Sequence, residues 1–211
     1  MITNKAPQAF WDRVAPRYAQ MAMRNPDAYE ETLELTKARL RPGDRVLELG
    51  CGTGTTALRL APSVGQYVAS DYSAEMIAIA NAGQASTGTA NLTPCVASLG
   101  DGFLTSGPFD AVLAFNLLHL LPDRHAAFSE VFDLMRPGGF FISKTPCLGG
   151  FYRVLQPVLA IMQRVGKAPD FNFITTARLE QDITSAGFKI IERGDYPSGP
   201  PRRFIVAQKP E

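Results

Sequence analysis

Three glycines at alternate positions form the most informative group of residues in the chain. Gly50, Gly52 and Gly54 stand between a short apolar run and a segment of helical character. Glycine is needed where the backbone turns with positive φ, or where a ligand lies directly against the main chain. Asp71 follows at about the 20-residue distance at which a carboxylate accepts hydrogen bonds from ribose hydroxyls in α/β proteins. The pattern therefore predicts a nucleoside-binding site at the carboxyl end of the first strand.

The spacing of these glycines separates two classes of ligand. The dinucleotide fingerprint G-x-G-x-x-G would need its third glycine at position 55, where Thr55 stands. Glu48 precedes the loop and adds negative charge beside it. That charge suits a ligand carrying an ammonium and a sulfonium better than one carrying a pyrophosphate. Cys51, inside the loop, is interpreted as a small buried filler, because no His or Lys adjoins it to activate the thiol.

Apolar runs that alternate with helical segments predict the elements that hold this loop. The predicted strands cover 45–49, 66–70, 92–97, 109–115, 140–144, 188–192 and 204–208. The predicted helices cover 7–23, a segment starting at Pro26, 55–60, 73–84, 122–135 and 176–186. This alternation implies an α/β fold, doubly wound, with a mostly parallel seven-stranded sheet and helices on both faces. The last connection is too short for a helical crossover, so the final strand pair is predicted to be antiparallel.

Length and composition bound the class of protein. The chain has 211 residues, 45% of them hydrophobic and 19% charged, with a net charge of +1. These values predict one globular domain, exclude a disordered chain and argue against a dedicated nucleic-acid binder. No apolar run approaches the roughly 20 residues of a membrane span. Three cysteines without a C-x-x-C pair favour a reducing compartment, so we expect a cytoplasmic protein without a metal site.

Four motifs resemble those of the class I S-adenosylmethionine-dependent methyltransferases, in particular the small-molecule enzymes similar to those of ubiquinone and menaquinone biosynthesis. They are ELGCGTG at 48–54, SDYSAEM at 70–76, FDAVL at 109–113 and LMRPGG at 134–139. The resemblance spans about 11–209 and implies a Rossmann-like fold with an N-terminal helical lid. It also implies a division into a helical cap (1–42), a cofactor-binding core (43–145), an acceptor-pocket insertion (146–175) and a C-terminal helix with two strands (176–211).

The resemblance implies S-adenosylmethionine as cofactor and S-adenosylhomocysteine as product. The glycine loop would carry the methionine part, Glu48 would help to orient it, and Asp71 would hold the ribose hydroxyls. The remaining implied cofactor contacts are Tyr72 and Met76 at the adenine, Ser98 or the backbone around Leu99 at its amino group, Asn116 at the methionine side, Cys51 within the loop, and Tyr18. Tyr18 belongs to a run similar to the lid helix of relatives, and Pro16 is expected to break or kink that helix.

Methyl transfer from a sulfonium requires mainly alignment of the two reactants and exclusion of water, so no catalytic triad is expected. Two residues are candidates for a catalytic role, His119 and Tyr152. His119 is interpreted either as a general base or as a structural histidine among apolar neighbours. Tyr152 lies in the insertion, where relatives build their acceptor pockets. The motif of nucleic-acid base methylation and the acidic clusters of metal-dependent relatives are both missing after the fourth strand.

The insertion leaves the nature of the acceptor open between two interpretations. Apolar residues at 151, 154, 155, 158, 162 and 165 share one helical face, which Pro157 would bend. This face either packs on the core or forms a pocket or lid for a hydrophobic, quinone-like or lipid-like small molecule. Basic residues nearby allow peripheral contact with an anionic membrane. Two alternatives to a methyltransferase remain at this point: a nicotinamide-dependent oxidoreductase, and a cofactor-sensing or partner-binding domain without turnover.

Overall fold

The computed structural model describes residues 5–100, 107–150, 154, 156–164, 169 and 171–211. The helices are α1 (Lys5–Ala19), α2 (Pro26–Lys37), α3 (Thr55–Leu60), α4 (Ala74–Thr87), α5 (Arg124–Leu134), α6 (Gln156–Arg164) and α7 (Thr176–Ser185). The strands are β1 (Arg45–Leu49), β2 (Gln66–Asp71), β3 (Leu92–Val96), β4 (Phe109–Phe115), β5 (Met135–Pro146), β6 (Lys189–Asp195) and β7 (Arg202–Gln208). Within these ranges, no helix has both the length and the apolar character needed to cross a membrane.

The described strands form one seven-stranded sheet in the order β3-β2-β1-β4-β5-β7-β6. Strands β1 to β5 run parallel, while β7 pairs antiparallel with both β5 and β6. This confirms the predicted fold class, including the antiparallel end of the sheet. β2 and β3 extend the sheet on one side of β1, whereas β4 and the later strands extend it on the other side. The carboxyl ends of β1 and β4 therefore border a topological switch point. Open α/β sheets bind their ligands in the crevice at such a point.

Apolar clusters cover both faces of the sheet, which is why the central strands read as continuous apolar runs. One cluster joins the sheet to α5 and α7 through Phe128 and Ile183. The other joins it to α2 and α3 through Leu33 and Leu60. Both faces are therefore closed, and the ends of the strands are the places where a ligand can reach the sheet.

Several predicted boundaries are wrong for identifiable reasons. α1 ends at Ala19 rather than at position 23, and Pro16 lies inside the helix without ending it. α2, by contrast, begins at Pro26 as predicted, where the fixed φ of proline suits the first helical position, although the Asn25 side chain makes no capping hydrogen bond. β5 starts at Met135 rather than at position 140, because Met135 pairs with Phe109 across a register shift and residues 136–139 are therefore part of the strand.

The insertion does not place its described apolar residues in the core. Val158 and Ile161 on α6 are 57% and 66% exposed, and Val154 just before the helix is 66% exposed. The interpretation in which this face packs on the core is therefore wrong for the residues described. Positions 151, 155 and 165 of the predicted face lie outside the described residues.

Candidate functional site

The glycine loop leaves β1 with a backbone that only glycine adopts without strain. Gly50, Gly52 and Gly54 have φ values of +65°, +56° and +77°. A Cβ atom added at Gly54 would lie 2.9 Å from the Cβ of Ala80 on α4, so packing between loop and helix also demands glycine there. By contrast, a Cβ at Gly52 would have its nearest neighbour at 3.9 Å, the Cε1 atom of Tyr18. The loop is thus tightly packed on the side that faces α4 and open on the side that faces α1.

Asp71 ends β2 with its carboxylate directed at the loop. Its Oδ2 accepts a hydrogen bond from the backbone N–H of Gly52 (2.9 Å), and its Oδ1 accepts one from that of Ser73 (2.9 Å). The residue is buried, and this burial raises its pKa, while the two amide bonds act in the opposite direction. Each carboxylate oxygen has a second lone pair, so both can still accept a ribose hydroxyl. The carboxylate is therefore fixed in place and can accept further hydrogen bonds.

α1 lies over this loop and is attached to α4 by a polar contact. The Ser73 hydroxyl donates to Oδ1 of Asp12 at 2.6 Å and accepts from the backbone N–H of Met76 at 3.2 Å. Ser73 therefore caps α4 and also anchors α1. Trp11 and Tyr18 stack edge to face with ring centroids 6.3 Å apart. These contacts place α1 over the loop in the position of a lid. The helix continues through Pro16 and ends at Ala19.

A cleft opens between the lid helix and the ends of β1, β2 and β4. Its lining residues are Trp11, Tyr18, Gly50, Gly52, Asp71, Tyr72, Met76, Phe115, Asn116, Leu117 and Leu120. The enclosed volume is about 70 Å³, well below the roughly 300 Å³ at which small-molecule sites begin. The Leu117 side chain explains part of the difference, because a Cβ atom at Gly50 would lie 2.8 Å from its Cδ1. Leu117 and Tyr18 thus cover the loop on its cleft side.

Glu48 and Cys51 do not line the cleft but lie behind it. Glu48 is buried, and its Oε2 accepts a hydrogen bond from the Tyr67 hydroxyl at 2.8 Å. Burial raises the pKa of Glu48 to about 8, with the Tyr67 bond acting in the opposite direction and the charge of Asp71 adding to the rise. The Cys51 thiol is also buried, which raises its pKa and suits a filler better than a nucleophile.

The other predicted cofactor contacts divide into two groups. Tyr72, Met76 and Asn116 line the cleft beside Asp71. Ser98 and Leu99 do not line it, and Leu99 packs against the core instead. The structure therefore brings Tyr72, Met76 and Asn116 together with the loop, whereas the two predicted contacts after β3 are not part of the cleft lining.

Of the two candidate catalytic residues, the structure describes only His119, and it is not part of the cleft lining. His119 is 7% exposed and packs against Phe171 at a centroid distance of 4.9 Å. Burial, followed by the positive charge of Arg202, lowers the pKa of His119 to about 4, which makes it a neutral and weak base at pH 7. Its neighbours Leu117 and Leu120 line the cleft, whereas its own ring does not. Tyr152 lies outside the described residues.

Sequence reasoning missed several residues around the cleft. Phe115, Leu117 and Leu120 form its apolar wall, although nothing in their spacing marks them as different from core residues. Arg202, whose Nη1 donates to Oδ1 of Asn116 at 3.4 Å, was missed because the predicted last strand began at position 204. Lys144 ends a predicted core strand, and nothing in the sequence marks its side chain as buried, yet its ammonium group lies buried beside α2. Only the fold reveals these residues as neighbours.

Comparisons with known proteins identify the family. Residues 46–139 match a family described as a methyltransferase domain. A ubiquinone biosynthesis O-methyltransferase of Xanthomonas axonopodis pv. citri is 30% identical over 86% of this chain and 76% of its own length. A ubiquinone/menaquinone biosynthesis C-methyltransferase of Geotalea daltonii is 27% identical and aligns with 91% of this chain and 92% of its own. These matches overturn the oxidoreductase alternative.

Solved structures show the same fold. The methyltransferase in complex with the Haloferax volcanii Trm112 activator has a TM-score of 0.75 at 19% identity, covering 95% of this chain and 98% of that one. Geranyl diphosphate C-methyltransferase from Streptomyces coelicolor A3(2) has a TM-score of 0.70 at 15% identity, covering 86% of this chain and 79% of that one. Together with the glycine loop and its fixed carboxylate, these relationships show that the chain belongs to the class I S-adenosylmethionine-dependent methyltransferases.

Proposed function

We propose that the cleft binds S-adenosylmethionine and that the methyl group passes in line to a small acceptor with an apolar body. The observation that supports this most is the hydrogen bond between the Gly52 N–H and Asp71 Oδ2. It joins the open loop to the one carboxylate found among the described residues of the cleft lining. The methionine part would lie on the loop with Asn116 at its side. The ribose would bind Asp71, and the adenine would lie between Tyr72 and Met76.

The charge of this end of the cleft supports a cationic ligand. Asp12, Glu48 and Asp71 are grouped around the loop and the start of α4, and the charge of Asp71 acts on both Glu48 and Tyr18. A ligand with an ammonium and a sulfonium is attracted to such a group, whereas a pyrophosphate is repelled. Glu48 lies behind the loop, and its pKa of about 8 keeps it largely protonated near pH 7, so it would add negative charge only when a bound cation stabilises its ionised form.

When bound, S-adenosylmethionine supplies an activated methyl group that an acceptor atom takes by displacing sulfur, so alignment is the main demand on the protein. Tyr18 and Leu117 cover the loop and would exclude water from the reacting atoms. His119 stays a candidate base for an acceptor that must lose a proton. Its lowered pKa of about 4 restricts that role to acceptors whose own proton is acidic.

Two observations favour an acceptor with an apolar body. Two relatives that align with most of this chain are named for ubiquinone or ubiquinone/menaquinone biosynthesis. Exposed apolar side chains also lie just after α1 and on or just before α6. They are Met21, Met23, Val154, Val158, Ile161 and Met162. Four of them lie within one segment, 154–162, and apolar side chains exposed next to one another commonly mark a site of interaction with an apolar ligand or surface.

The test separates binding from transfer. Calorimetry with S-adenosylmethionine, S-adenosylhomocysteine and NAD is expected to detect binding of the first two and none of NAD. Transfer of a labelled methyl group is then measured with phenolic, quinone-like, amine and lipid acceptors, and transfer to an acceptor with an apolar body is expected. Failure to bind S-adenosylmethionine would contradict the cofactor assignment. Transfer to polar acceptors alone would contradict the apolar acceptor.

A further inference from the structure

Arg202 stands at the side of the cleft opposite the glycine loop and its acidic group. It is the first residue of β7 and pairs with Pro146 at the end of β5. Its backbone is fixed on both sides, because its N–H donates to the Pro197 carbonyl (3.3 Å) and its carbonyl accepts from the Tyr196 N–H (3.1 Å). The side chain extends from this fixed point to Asn116, a residue of the cleft lining, where Nη1 lies 3.4 Å from Oδ1.

Arg203, the next residue of β7, differs from Arg202 in that its guanidinium group has carboxylate partners within the fold. Arg203 points to the opposite face of the sheet and lies 3.4 Å from a Glu180 oxygen and 3.5 Å from an Asp195 oxygen. Arg202 has no such partner: across the described part of the chain, no carboxylate lies within ion-pair distance of it. Its one long hydrogen bond to a neutral amide uses little of a guanidinium group that carries five N–H donors.

A second cation lies close to Arg202. The Lys144 ammonium is buried and donates to the carbonyl of Ala28 (2.8 Å) and the hydroxyl of Thr32 (2.9 Å), both of which are neutral. Burial, followed by the charge of Arg202, lowers the pKa of Lys144 to about 8, and Glu31 acts in the opposite direction. Lys144 also fixes the cleft wall, since its carbonyl accepts a 2.7 Å hydrogen bond from the Asn116 N–H.

We propose that Arg202 binds a carboxylate of the methyl acceptor, so that the acceptor combines an apolar body with an acidic group. This inference rests on the proposed function, because it names the chemistry of the molecule that receives the methyl group. A guanidinium group binds a carboxylate through two parallel hydrogen bonds, which fixes the orientation of the ligand as well as its position. Lys144 adds positive potential behind this contact without touching the acceptor.

The experiment compares matched pairs of ligands on protein saturated with S-adenosylhomocysteine. The pairs are 3,4-dihydroxybenzoate with 3,4-dihydroxybenzamide, cinnamate with cinnamamide, and octanoate with octanamide, each measured by ligand-observed NMR titration. At least one carboxylate is expected to bind about 10-fold or more tightly than its amide, as for a charge-assisted hydrogen bond. Arg202→Met is expected to abolish the difference, and Arg202→Lys to retain part of it. Arg193→Met, on the exposed edge strand β6, is the matched control and should behave as wild type.

The outcomes separate this inference from the proposed function. If the wild-type protein binds S-adenosylhomocysteine but prefers no carboxylate over its amide, in any pair, the inference is wrong and the cofactor assignment stands. The inference is also wrong if the preference persists in Arg202→Met. If S-adenosylhomocysteine itself does not bind, the proposed function fails first. Thermal melting of each variant establishes that a lost preference is not a lost fold.

Discussion

The two ends of the cleft differ in the sign of their charge and in how the fold satisfies it. At the end with the glycine loop, the carboxylates of Asp12 and Asp71 accept hydrogen bonds from hydroxyl and backbone N–H groups. At the opposite end, the cations of Lys144 and Arg202 contact only neutral oxygen atoms among the described residues. One end is therefore organised before any ligand binds, whereas the other retains unpaired positive charge.

This difference indicates how the two reactants would be kept in order. A cationic donor is attracted to the acidic end and repelled by the basic end, and the reverse holds for an anionic acceptor. The separation by charge would reduce binding in the wrong orientation as well as stabilise the right one. Each variant below removes one part of this arrangement, beginning with the change of largest expected effect.

The acidic end depends most on Asp71. Asp71→Ala removes the acceptor of the Gly52 and Ser73 N–H groups and the proposed partner of the ribose hydroxyls. We expect the Kd of S-adenosylmethionine to rise by about 100-fold, equivalent to about 2.7 kcal/mol, the scale of hydrogen bonds to a charged group. Calorimetry measures the change. Asp133→Ala, on an exposed position of α5, is the control, and an unchanged Kd in Asp71→Ala would contradict the ribose assignment.

Two glycines of the loop should respond differently to the same substitution. Gly54→Ala places a Cβ 2.9 Å from Ala80 Cβ and 3.3 Å from its Cα, at a φ of +77°. We expect a loss of about 2–4 kcal/mol in the free energy of unfolding, from left-handed strain and overpacking together. Gly52→Ala meets no atom within 3.4 Å, so its stability loss should be only the strain of about 1–2 kcal/mol.

The same pair also separates binding from stability. In Gly52→Ala the added methyl group faces the lid and the proposed methionine site, so the Kd of S-adenosylmethionine should rise about 10-fold. Urea denaturation and calorimetry measure the two quantities on the same samples. Equal stability losses in both variants would show that packing against α4 is not what requires Gly54. Unchanged affinity in Gly52→Ala would show that the ligand does not lie on the open side of the loop.

The attachment of the lid should have a smaller effect. Asp12→Asn weakens the 2.6 Å contact with the Ser73 hydroxyl while preserving the size of the side chain. We expect the affinity for S-adenosylmethionine to fall about 3- to 10-fold, because a neutral acceptor forms a hydrogen bond about half as strong. Stopped-flow measurements should assign the change to faster release. Asp27→Asn on α2 serves as the control, and a slower association rate alone would contradict a lid role for α1.

The two ends also differ in how far the sequence predicts them. Gly50, Gly54 and Asp71 belong to consecutive elements, so their spacing along the chain is sufficient to bring them together. Lys144 and Arg202 come from β5 and β7, and their proximity depends on the antiparallel pairing of strands far apart in sequence. Their residue types carry no periodic signal, because a cation at a strand end is ordinarily a solvated one.

The same reasoning explains the remaining differences. The mostly parallel sheet and its antiparallel last pair follow from apolar runs and connection lengths, which are local properties of the chain. The exposure of Val158 and Ile161 was not predictable, since a helical apolar face reads the same whether it is covered or open. Likewise, Leu117 and His119 are two residues apart in one apolar segment, and only the short helical turn at Leu118–Leu120 directs the first into the cleft and the second away from it.

The last prediction concerns the stability of the fold rather than ligand binding, and it tests the buried carboxyl group behind the loop. Burial raises the pKa of Glu48 to about 8, whereas its value in the unfolded chain is near 4.5. Between these values the folded protein binds more protons than the unfolded chain, so the free energy of unfolding should fall as the pH rises from about 5 to 8. Glu48→Gln removes this titration, and its stability relative to wild type should therefore increase with pH over the same range.

Urea denaturation at pH 5, 6, 7 and 8 measures this difference between Glu48→Gln and wild type. Glu34→Gln, an exposed carboxyl on α2, controls for the loss of one charge and should show no such trend. A stability difference that stays constant with pH would mean that Glu48 is ionised throughout, and that the acidic end carries its full charge before the donor binds. A difference that grows with pH would mean that Glu48 is largely protonated in the free protein, so that the charge of this end increases only when a cation arrives to stabilise it.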